Sequence, residues 1–353
     1  MKILENKEYL KDIVSVSELS LPWEKLQNKS VIISGGSGMV GSCLADVLMT
    51  LNNSRNLNCD VVVIGRNSQR AKSRFEPYWD SPNFRFLSHD INLPMGEDEV
   101  AKADFVVHLA SNTHPVAYAT DPIGTITANI IGTKNLLDMA AEKKSERFVF
   151  ASSNEIYGEN RGDTELFSED YCGYIDCCTL RAGYPESKRC GEALCLAYSR
   201  QKEMDVVIPR LTRTYGPTML MSDTKAVSQF IKKGMAGEDI VLKSKGNQFY
   251  SYTYVTDAVS GLLTVMLKGE CGEAYNIADI SSDITLRDMA ELIAGYSGTK
   301  VVFDIPDETE SAGYSKATKA RLDSTKLKGL DWKVKYDIRS GLERTLDILK
   351  TLD

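Results

Sequence analysis

Short apolar runs recur along the first 210 residues and are separated by polar segments or helical patterns. The runs lie at Val31–Ile33, Val61–Ile64, Phe84–Leu87, Phe105–Leu109, Phe148–Ala151 and Val206–Ile208. Runs of this length predict strands that are buried on both faces of a sheet. The segments Ile126–Ala141 and Glu186–Arg200 have the periodicity of helices that cover such a sheet. The alternation predicts an α/β fold with a doubly wound parallel sheet, whose ligands bind at the carboxyl ends of the strands.

A glycine-rich turn follows the first apolar run directly. In SGGSGMVGS (34–42), Gly35, Gly38 and Gly41 form a Gly-x-x-Gly-x-x-Gly pattern, and a helix is predicted from near Met39. Glycines at these places permit a tight turn, a close approach of the backbone to a pyrophosphate, and close packing of the helix on the strand. An ordinary glycine-rich loop is the alternative. The strand before the turn and the apolar helix after it favour a dinucleotide-binding site at the helix N-terminus.

The pattern changes after about Arg210, where tyrosine-rich and lysine-rich segments replace the regular alternation. A clear helix is predicted again at Thr285–Ala294, where Thr285 and Asp288 have the spacing of a capping box. We therefore expect a smaller C-terminal α/β lobe that binds the substrate. The predicted division is an N-terminal extension (1–28), a Rossmann cofactor-binding domain (29–209, with 249–279 returning to it) and a substrate-binding lobe (210–248 and 280–353).

Composition and charge argue against several classes of function. A net charge of -7 over 353 residues gives no support for binding to nucleic acid or to a membrane surface, which both favour a basic face. No apolar run approaches the roughly 20 residues that a membrane-spanning helix needs. The segment MKILENKEYLKDIV is too charged for a signal peptide, and the cysteines show no paired CxxC spacing. We expect free thiols and a cytoplasmic location, and no metal site, because the histidines are not at ligand spacing from cysteines or carboxylates.

Further motifs follow in a fixed order. From about Ser30 to its C-terminus the chain resembles the extended short-chain dehydrogenase/reductase family, specifically its nucleotide-sugar epimerases, dehydratases and decarboxylases. The motifs that carry the resemblance are the glycine turn, Asp90-Ile91, HLAS (108–111), NIIGTKNLL (129–137), SSNEIYG (152–158), YPESK (184–188), TYGP (214–217), YVTD (254–257) and YNIAD (275–279). The resemblance implies a nicotinamide dinucleotide cofactor, a nucleotide-sugar substrate, and a homodimer formed by the helix at about Ile126–Ala141 and the helix that bears Tyr184.

The resemblance also implies a catalytic triad of Ser153, Tyr184 and Lys188. A tyrosine with an ordinary pKa of about 10 is a poor base near neutral pH, but a nearby cation favours the phenolate and lowers that pKa. Lys188 follows Tyr184 by one helical turn and shares its helix face. Tyr184 would take the proton from a sugar hydroxyl while hydride leaves for nicotinamide, and Ser153 would hydrogen-bond the same oxygen. An isolated YxxxK is more often a surface pair, but the ordered motifs favour catalysis.

Asn154 and Glu155 bear on the outcome of the reaction. In the 4,6-dehydratases that this chain resembles, these two positions carry an aspartate, which protonates the leaving hydroxyl, and a glutamate, which removes the C5 proton. The amide of Asn154 cannot donate a proton in the same way, whereas Glu155 leaves chemistry at C5 open. The decarboxylases of the family keep the glutamate without the aspartate, so dehydration ranks below decarboxylation or epimerisation.

Two segments resemble the UDP-glucuronate decarboxylase branch, namely LRAGYPESKR (180–189) and MLMSDTKAV (219–227). Arg181 in the first segment would orient a substrate carboxylate or phosphate by bidentate bonding, and a structural ion pair is the equal alternative.

The chain departs from the family at two positions. Tyr250 stands where members usually carry an arginine that binds the nucleotide diphosphate, and Arg213 stands where they usually carry an asparagine. We hypothesise that Arg213, with Lys225, Lys316 and Arg321, supplies the missing charge at the substrate site. The alternative is that these residues are solvated surface cations.

The end of the second predicted strand bears on the choice of cofactor. An acidic residue there normally holds the ribose hydroxyls of NAD, but this chain has Gly65 and then Arg66, which favours NADP over NAD. By resemblance, Asp90 would contact the adenine amino group. The candidate cofactor-binding residues are Gly35, Gly38, Met39, Val40, Gly41, Arg66, Asp90, Ile91, Ala110, Tyr184 and Lys188.

Together these observations predict an NAD- or NADP-dependent enzyme that modifies a nucleotide sugar through a transient 4-keto sugar. The candidate substrate-binding residues are Asn154, Arg181, Arg213, Lys225, Tyr250 and Arg321. The alternative enzyme is an NADPH-dependent reductase of a keto sugar or keto-polyol nucleotide, and an alternative of another class is a non-catalytic cofactor-binding regulator.

Overall fold

The fold was obtained as a computed structural model, which describes residues 2–113, 115–305 and 318–352. The strands are β1 (Ser30–Ser34), β2 (Asp60–Gly65), β3 (Phe84–Ser88), β4 (Phe105–His108), β5 (Arg147–Phe150), β6 (Ser152–Ser153), β7 (Val206–Leu211), β8 (Arg213–Tyr215), β9 (Ile240–Leu242), β10 (Phe249–Tyr254), β11 (Ala274–Ile277), β12 (Asp283–Thr285), β13 (Val301–Phe303) and β14 (Lys319–Ala320).

Helices connect most of these strands. They are α1 (Lys7–Ser17), α2 (Met39–Arg55), α3 (Ser68–Arg74), α4 (Pro115–Thr120), α5 (Pro122–Glu142), α6 (Gly183–Lys202), α7 (Ala226–Ala236), α8 (Val255–Lys268), α9 (Leu286–Ser297), α10 (Thr325–Lys328) and α11 (Ile338–Lys350). Two short 3-10 helices, Asn154–Tyr157 and Leu180–Ala182, lie before α6.

The large sheet has the order β11-β7-β5-β4-β1-β2-β3, and β6 also pairs with β7. Every pairing within it is parallel. The chain winds outward in one direction from β1 through β2 to β3 and then in the other direction from β4, so β1 and β4 are adjacent at the point where the winding reverses. Ligands of doubly wound sheets bind outside the carboxyl ends of the strands at such a point. The predicted doubly wound parallel sheet is confirmed.

Apolar side chains bury both faces of this sheet. On one face, α2 and α8 contribute Leu44, Leu48, Leu262 and Met266 to a core that also includes Tyr9 and Ile13 of α1. On the other face, residues of α5 and α6 pack against the strands. The N-terminal residues 1–28 are therefore built into the fold as far as the structure describes them.

A smaller lobe is built around a second core. Its sheet has the order β12-β10-β14 with β8 beside β10, a further pair joins β9 to β13, and α7, α9 and α11 contribute buried side chains. β10 belongs to the smaller sheet because it pairs with β8, β12 and β14. Its Tyr250, Tyr252 and Tyr254 are buried in this second core. The predicted return of 249–279 to the large sheet is therefore wrong for β10, and the chain returns through α8 and β11.

The caps explain where the helices begin. The predicted helix Ile126–Ala141 starts earlier, at Pro122, where the side chain of Asp121 accepts a hydrogen bond from the Gly124 amide. The Thr285 hydroxyl accepts from the Asp288 amide at 3.1 Å, which confirms the predicted helix start at this position. Side chains that accept from free amides of the first turn favour a start at these residues.

Candidate active site

A cleft of about 920 Å³ runs along the carboxyl ends of the large sheet and reaches the smaller lobe. It contains eighteen of the predicted site residues: Gly35, Gly38, Met39, Val40, Gly41, Arg66, Asp90, Ile91, Ala110, Ser153, Asn154, Glu155, Arg181, Tyr184, Lys188, Arg213, Lys225 and Tyr250. Residues that are distant in the sequence meet here because parallel strands place their carboxyl ends along one edge of the sheet.

The glycine turn is held close to the neighbouring strand. Gly35 has a φ of +69°, and a Cβ at this position would lie 2.6 Å from the amide nitrogen of Ala110. A Cβ at Gly41 would lie 2.6 Å from the Gly35 carbonyl oxygen. Side chains are therefore excluded at both positions, and α2 begins directly after Gly38 with its first amides at the cleft. This geometry fits a pyrophosphate at the N-terminus of α2.

The end of β2 carries arginines and no carboxylate. Gly65 and Arg66 line the cleft, and Arg70 from α3 reaches back so that its Nη2 donates to the Ser37 carbonyl oxygen at 2.7 Å. Burial lowers the pKa of Arg70. Within the described ranges, neither Arg66 nor Arg70 forms an ion pair with a carboxylate. This part of the cleft is electropositive.

Tyr184 and Lys188 occupy the first turns of α6, and both are buried. The Lys188 ammonium donates to the Ala151 carbonyl oxygen at 2.8 Å and lies 4.8 Å from the centre of the Phe150 ring. Burial lowers the pKa of Lys188 to about 8. The Ser153 hydroxyl accepts from the Glu155 amide at 3.2 Å and thereby caps the 3-10 helix that carries Asn154 and Glu155.

The charges around Tyr184 differ from the expectation. Burial raises the pKa of Tyr184, and the nearby Glu155 raises it further, whereas the Ser153 hydroxyl and the Arg181 guanidinium lower it. The cation that acts on the phenol here is thus Arg181, which the sequence analysis assigned to the substrate. Lys188 instead directs its ammonium to the main chain.

Arg181 connects Glu155 to a tyrosine that the sequence analysis missed. Its Nη2 donates to the Glu155 carboxylate at 2.7 Å, and its guanidinium lies 4.7 Å from the centre of the Tyr118 ring. The Tyr118 ring in turn lies 5.0 Å from the ring of Tyr184. Tyr118 precedes α5 in a segment with no periodic pattern, so no sequence signal pointed to it.

A second arginine lies on the other side of the cleft. The guanidinium of Arg213 on β8 lies 3.6 Å from the centre of the Tyr250 ring on β10. Its Nη1 atom is buried and has no hydrogen-bond partner among the described residues. Lys225 also lines the cleft, and its ammonium pairs with the Asp223 carboxylate at 3.0 Å.

Two candidate substrate residues do not contribute to the cleft that the structure describes. Arg321 is absent from the cleft wall because its Nε donates to Asp283 at 2.6 Å and its guanidinium lies 4.8 Å from the Phe249 ring. The structure therefore gives no support to its assignment to the substrate site and shows Arg321 in an ion pair with Asp283 instead. Lys316 lies outside the described residues.

A buried network of hydrogen bonds connects strands β1 and β4 to α6, the helix that carries Tyr184. The Ser34 hydroxyl lies 2.7 Å from His108 Nδ1, and His108 Nε2 lies 3.1 Å from the Thr133 hydroxyl, which itself donates to the Asn129 carbonyl. Nε2 therefore carries the proton, and burial holds the pKa of His108 well below its ordinary value. Asn129 Nδ2 then donates to Ser187 on α6 at 2.9 Å. The motifs HLAS and NIIGTKNLL thus connect β1 and β4 to the helix of Tyr184.

The parts of the chain that the structure describes contain no group of three or more histidine, cysteine or carboxylate side chains that could hold a metal ion. Across the same residues, no helix has the length and apolarity needed to cross a membrane.

Comparisons with known proteins show which proteins this chain is similar to. A model of the NAD dependent epimerase/dehydratase family matches residues 31–278. UDP-glucuronic acid decarboxylase 5 of Arabidopsis thaliana is 32% identical over 320 residues, which cover 89% of this chain and 87% of the relative. UDP-glucuronic acid decarboxylase 1 of Xenopus tropicalis is 34% identical over 238 residues, which cover 67% of this chain and 53% of the relative.

Solved structures share the fold. The UDP-glucuronic acid 4-epimerase of Bacillus cereus, in complex with UDP-glucuronic acid and NAD, superimposes with a TM-score of 0.78 at 22% identity, over 92% of this chain and all of that chain (100%). The dTDP-glucose 4,6-dehydratase of Bacillus anthracis, in complex with NAD, superimposes with a TM-score of 0.77 at 21% identity, over 92% of this chain and 97% of that chain.

Proposed function

This chain belongs to the NAD dependent epimerase/dehydratase family, and from that membership we propose that it modifies a nucleotide-linked sugar through transient oxidation of the hydroxyl at C4. The observation that carries the proposal is the meeting of Ser153, Tyr184 and Lys188 with the glycine turn in one cleft. A tyrosine held beside a cofactor site suits reversible proton transfer coupled to removal of hydride from the same alcohol carbon.

The cleft fits a nicotinamide dinucleotide. The absence of side chains at Gly35 and Gly41 leaves room at the turn, where added Cβ atoms would collide with main-chain atoms. The amides of the first turn of α2 would hold the pyrophosphate. The carboxylate of Asp90 would accept from the adenine amino group. When bound, the nicotinamide supplies a reversible acceptor for the hydride at C4.

Side chains of this protein then transfer the proton of the C4 hydroxyl. Tyr184 takes the proton from the C4 hydroxyl as the carbonyl forms, and Ser153 donates a hydrogen bond to the same oxygen. The Arg181 guanidinium lowers the pKa of Tyr184 and so favours its phenolate, and Lys188 is fixed at 2.8 Å from the Ala151 carbonyl oxygen. The same groups return the proton when the ketone is reduced again.

We favour decarboxylation of a uronate as the outcome. A ketone at C4 allows the C5–C6 bond to break, because the electron pair that carbon dioxide leaves at C5 is delocalised into the C4 carbonyl before C5 takes up a proton. Relatives of 32% and 34% identity, from Arabidopsis thaliana and Xenopus tropicalis, are UDP-glucuronic acid decarboxylases. Glu155 is held in an ion pair with Arg181, and Asn154 offers no acid for dehydration.

The charge at the end of β2 supports NADP as the cofactor. Arg66 and Arg70 provide two guanidinium groups without a described carboxylate beside them, and a 2′-phosphate on the adenosine ribose would pair with them. This feature also favours the second candidate function, a reductase that uses NADPH to convert a keto sugar nucleotide to the alcohol.

We also propose a homodimer formed by α5 and α6. These helices pack against each other and leave large apolar side chains exposed, including Ile123 at 75% and Ile131 and Leu196 at more than a third of their surface. Apolar surface on a packed helix pair favours association with a second copy. Light scattering should give twice the chain mass for the wild type and the single mass for Ile131→Lys; a monomeric wild type would contradict the proposal.

Product analysis in heavy water tests the function. The purified protein is incubated in heavy water with nucleotide sugars, including uronates, and with NAD or NADP. The masses of the products are then measured by mass spectrometry. We expect loss of carbon dioxide with one deuterium retained at C5. The Tyr184→Phe variant should be inactive, and Tyr198→Phe on the same helix but outside the cleft should be active.

Other products would redirect the assignment. Loss of water would establish dehydration despite Asn154, and uptake of deuterium without another change would establish epimerisation at C5. No product from any donor, combined with turnover of a keto sugar by NADPH, would establish the reductase, and no turnover at all would favour a cofactor-binding regulator.

A further inference from the structure

Helix α1 directs two polar side chains toward two different parts of the molecule. Tyr9 and Asp12 lie one turn apart on its buried face, and both are fully buried. The Tyr9 hydroxyl donates to Asp46 of α2 at 2.6 Å. Asp12 accepts from Arg344 of α11, whose Nε lies 2.7 Å from both carboxylate oxygens. Because α2 follows the glycine turn and α11 belongs to the smaller lobe, α1 joins the two parts of the chain that form the walls of the cleft.

The contact with α2 extends to the wall that would hold the cofactor. Asp46 is fully buried and also forms an ion pair with Arg74 at the end of α3. Arg70, one turn earlier on α3, donates to the Ser37 carbonyl oxygen of the glycine turn at 2.7 Å. Tyr9 is thus bonded to the cluster that holds α3 against α2, and these two helices present their arginines and first amides to the cleft.

The contact with the smaller lobe extends to the opposite wall. Asp12 also accepts from the hydroxyl of Tyr254 at the end of β10, at 2.8 Å. On the same strand, Tyr250 lines the cleft and carries the Arg213 guanidinium 3.6 Å from the centre of its ring. Because these two tyrosines lie on the same side of one short strand, the bond at Tyr254 also fixes the place of Tyr250.

Buried charges suit a role in alignment. Desolvation of a buried ion pair offsets much of its attraction, so an apolar pair of the same size often stabilises a fold equally well. Asp12 and Asp46 each combine an arginine with a tyrosine hydroxyl. Such charge-assisted, directional bonds form only when α1, α2 and α11 have one relative placement.

We propose that α1 is an interlobe brace and that Tyr9 and Asp12 are positioning residues, which set the place of the nucleotide sugar relative to the cofactor. The inference rests on the proposed function, because it requires a cofactor on one wall and a nucleotide sugar on the other. Turnover needs the reacting carbon of the sugar in contact with the cofactor, and a misplacement of about 1 Å can slow such a step roughly 100-fold. Binding of either ligand by itself depends mainly on one wall, so loss of the brace should affect turnover more than binding.

Steady-state kinetics with the nucleotide sugar that the wild type turns over tests the proposal. Tyr9→Phe removes one hydroxyl, and the double variant Asp12→Asn/Arg344→Met removes the buried ion pair without leaving an unpaired charge. We expect kcat to fall about tenfold or more in both, while KM and the dissociation constant of the cofactor alone change by less than about threefold. The matched control is Tyr275→Phe, which removes a buried hydroxyl that accepts from the Glu270 amide at 3.0 Å beside the large sheet. It should keep the wild-type kcat.

The outcomes separate this inference from the proposed function. A kcat in either variant equal to that of the control, or a loss of activity that lies entirely in KM or in cofactor affinity, would overturn the brace and leave the proposed function in place. Circular dichroism at the assay temperature shows whether each variant is folded. If the double variant is not, Tyr9→Phe decides, since phenylalanine keeps the packing of the ring. A wild type that turns over no nucleotide sugar would overturn the proposed function together with this inference.

Discussion

The guanidinium of Arg213 lies 3.6 Å from the centre of the Tyr250 ring, across the neighbouring strands β8 and β10. The aromatic ring holds the cation at the cleft wall without neutralising it, because a ring face attracts a guanidinium but carries no charge. The structure thus joins the two positions at which the sequence departs from its family. A tyrosine replaces the usual arginine, and an arginine on the adjacent strand stacks on that tyrosine.

Arg213→Ala should weaken substrate binding far more than folding. The Nη1 atom of Arg213 lacks a described partner, and within the described residues Arg213 forms no ion pair that its removal would break. We expect KM for the nucleotide sugar to rise roughly 10- to 100-fold with little change in kcat. Steady-state kinetics measures both constants, and Arg339→Ala, exposed on α11, is the control. An unchanged KM would remove Arg213 from the substrate site.

Arg66→Asp should shift the proposed cofactor preference from NADP to NAD. A carboxylate at the end of β2 repels a 2′-phosphate and accepts from the free ribose hydroxyls of NAD. The ratio of dissociation constants for the two cofactors, measured by fluorescence titration, should change by about tenfold or more. Lys72→Asp, exposed on α3 and outside the cleft, makes the same charge change and should leave the ratio alone. A wild type that binds NAD more tightly would refute the NADP assignment.

Lys188 links activity to the pH dependence of stability. Burial lowers its pKa to about 8, so between about pH 8 and pH 10 the unfolded chain binds more protons at this residue than the folded chain does. By linkage, its contribution makes the protein more stable as pH rises through that window, and its charged form is unfavourable below it.

Lys188→Met should abolish turnover and remove this pH dependence. The free energy of unfolding of the wild type relative to the variant should increase from about pH 8 to pH 10, by up to about 3 kcal/mol for a shift of two pKa units. Denaturant titrations at several pH values measure it. Lys202→Met, exposed at the end of α6, should follow the wild type. Parallel curves for wild type and Lys188→Met would show that Lys188 keeps its ordinary pKa.

Arg344 stabilises the fold at a distance from the cleft. Its Nε lies 2.7 Å from both oxygens of the fully buried Asp12, which also accepts from the Tyr254 hydroxyl at 2.8 Å. Arg344→Met leaves a carboxylate buried without its cation and should lower the free energy of unfolding by about 3–5 kcal/mol. Adding Asp12→Asn should recover part of that loss. Equal unfolding midpoints for Arg344→Met and the exposed control Arg339→Met would contradict this role.

Local sequence signals were sufficient to predict the large sheet and the glycine turn at the carboxyl end of β1. Each buried parallel strand is a continuous apolar run, and a strand-glycine-helix junction needs glycine for steric reasons that act within a few residues. The spacing of Tyr184 and Lys188 likewise follows from one helical turn. These features depend on neighbours in the chain and were therefore readable before folding.

The sequence could not decide which partners the charged side chains choose. Arg181 pairs with Glu155, 26 residues away, Arg213 stacks on Tyr250, and Arg321 pairs with Asp283 outside the cleft. Tyr118 joins the catalytic tyrosine through a short helix that carries no periodic signal. The sequence by itself determined the doubly wound sheet, the cofactor turn and the Tyr-Lys helix. Only the tertiary structure decided which cations face the substrate, because ion pairing and desolvation depend on distances in space rather than on spacing along the chain.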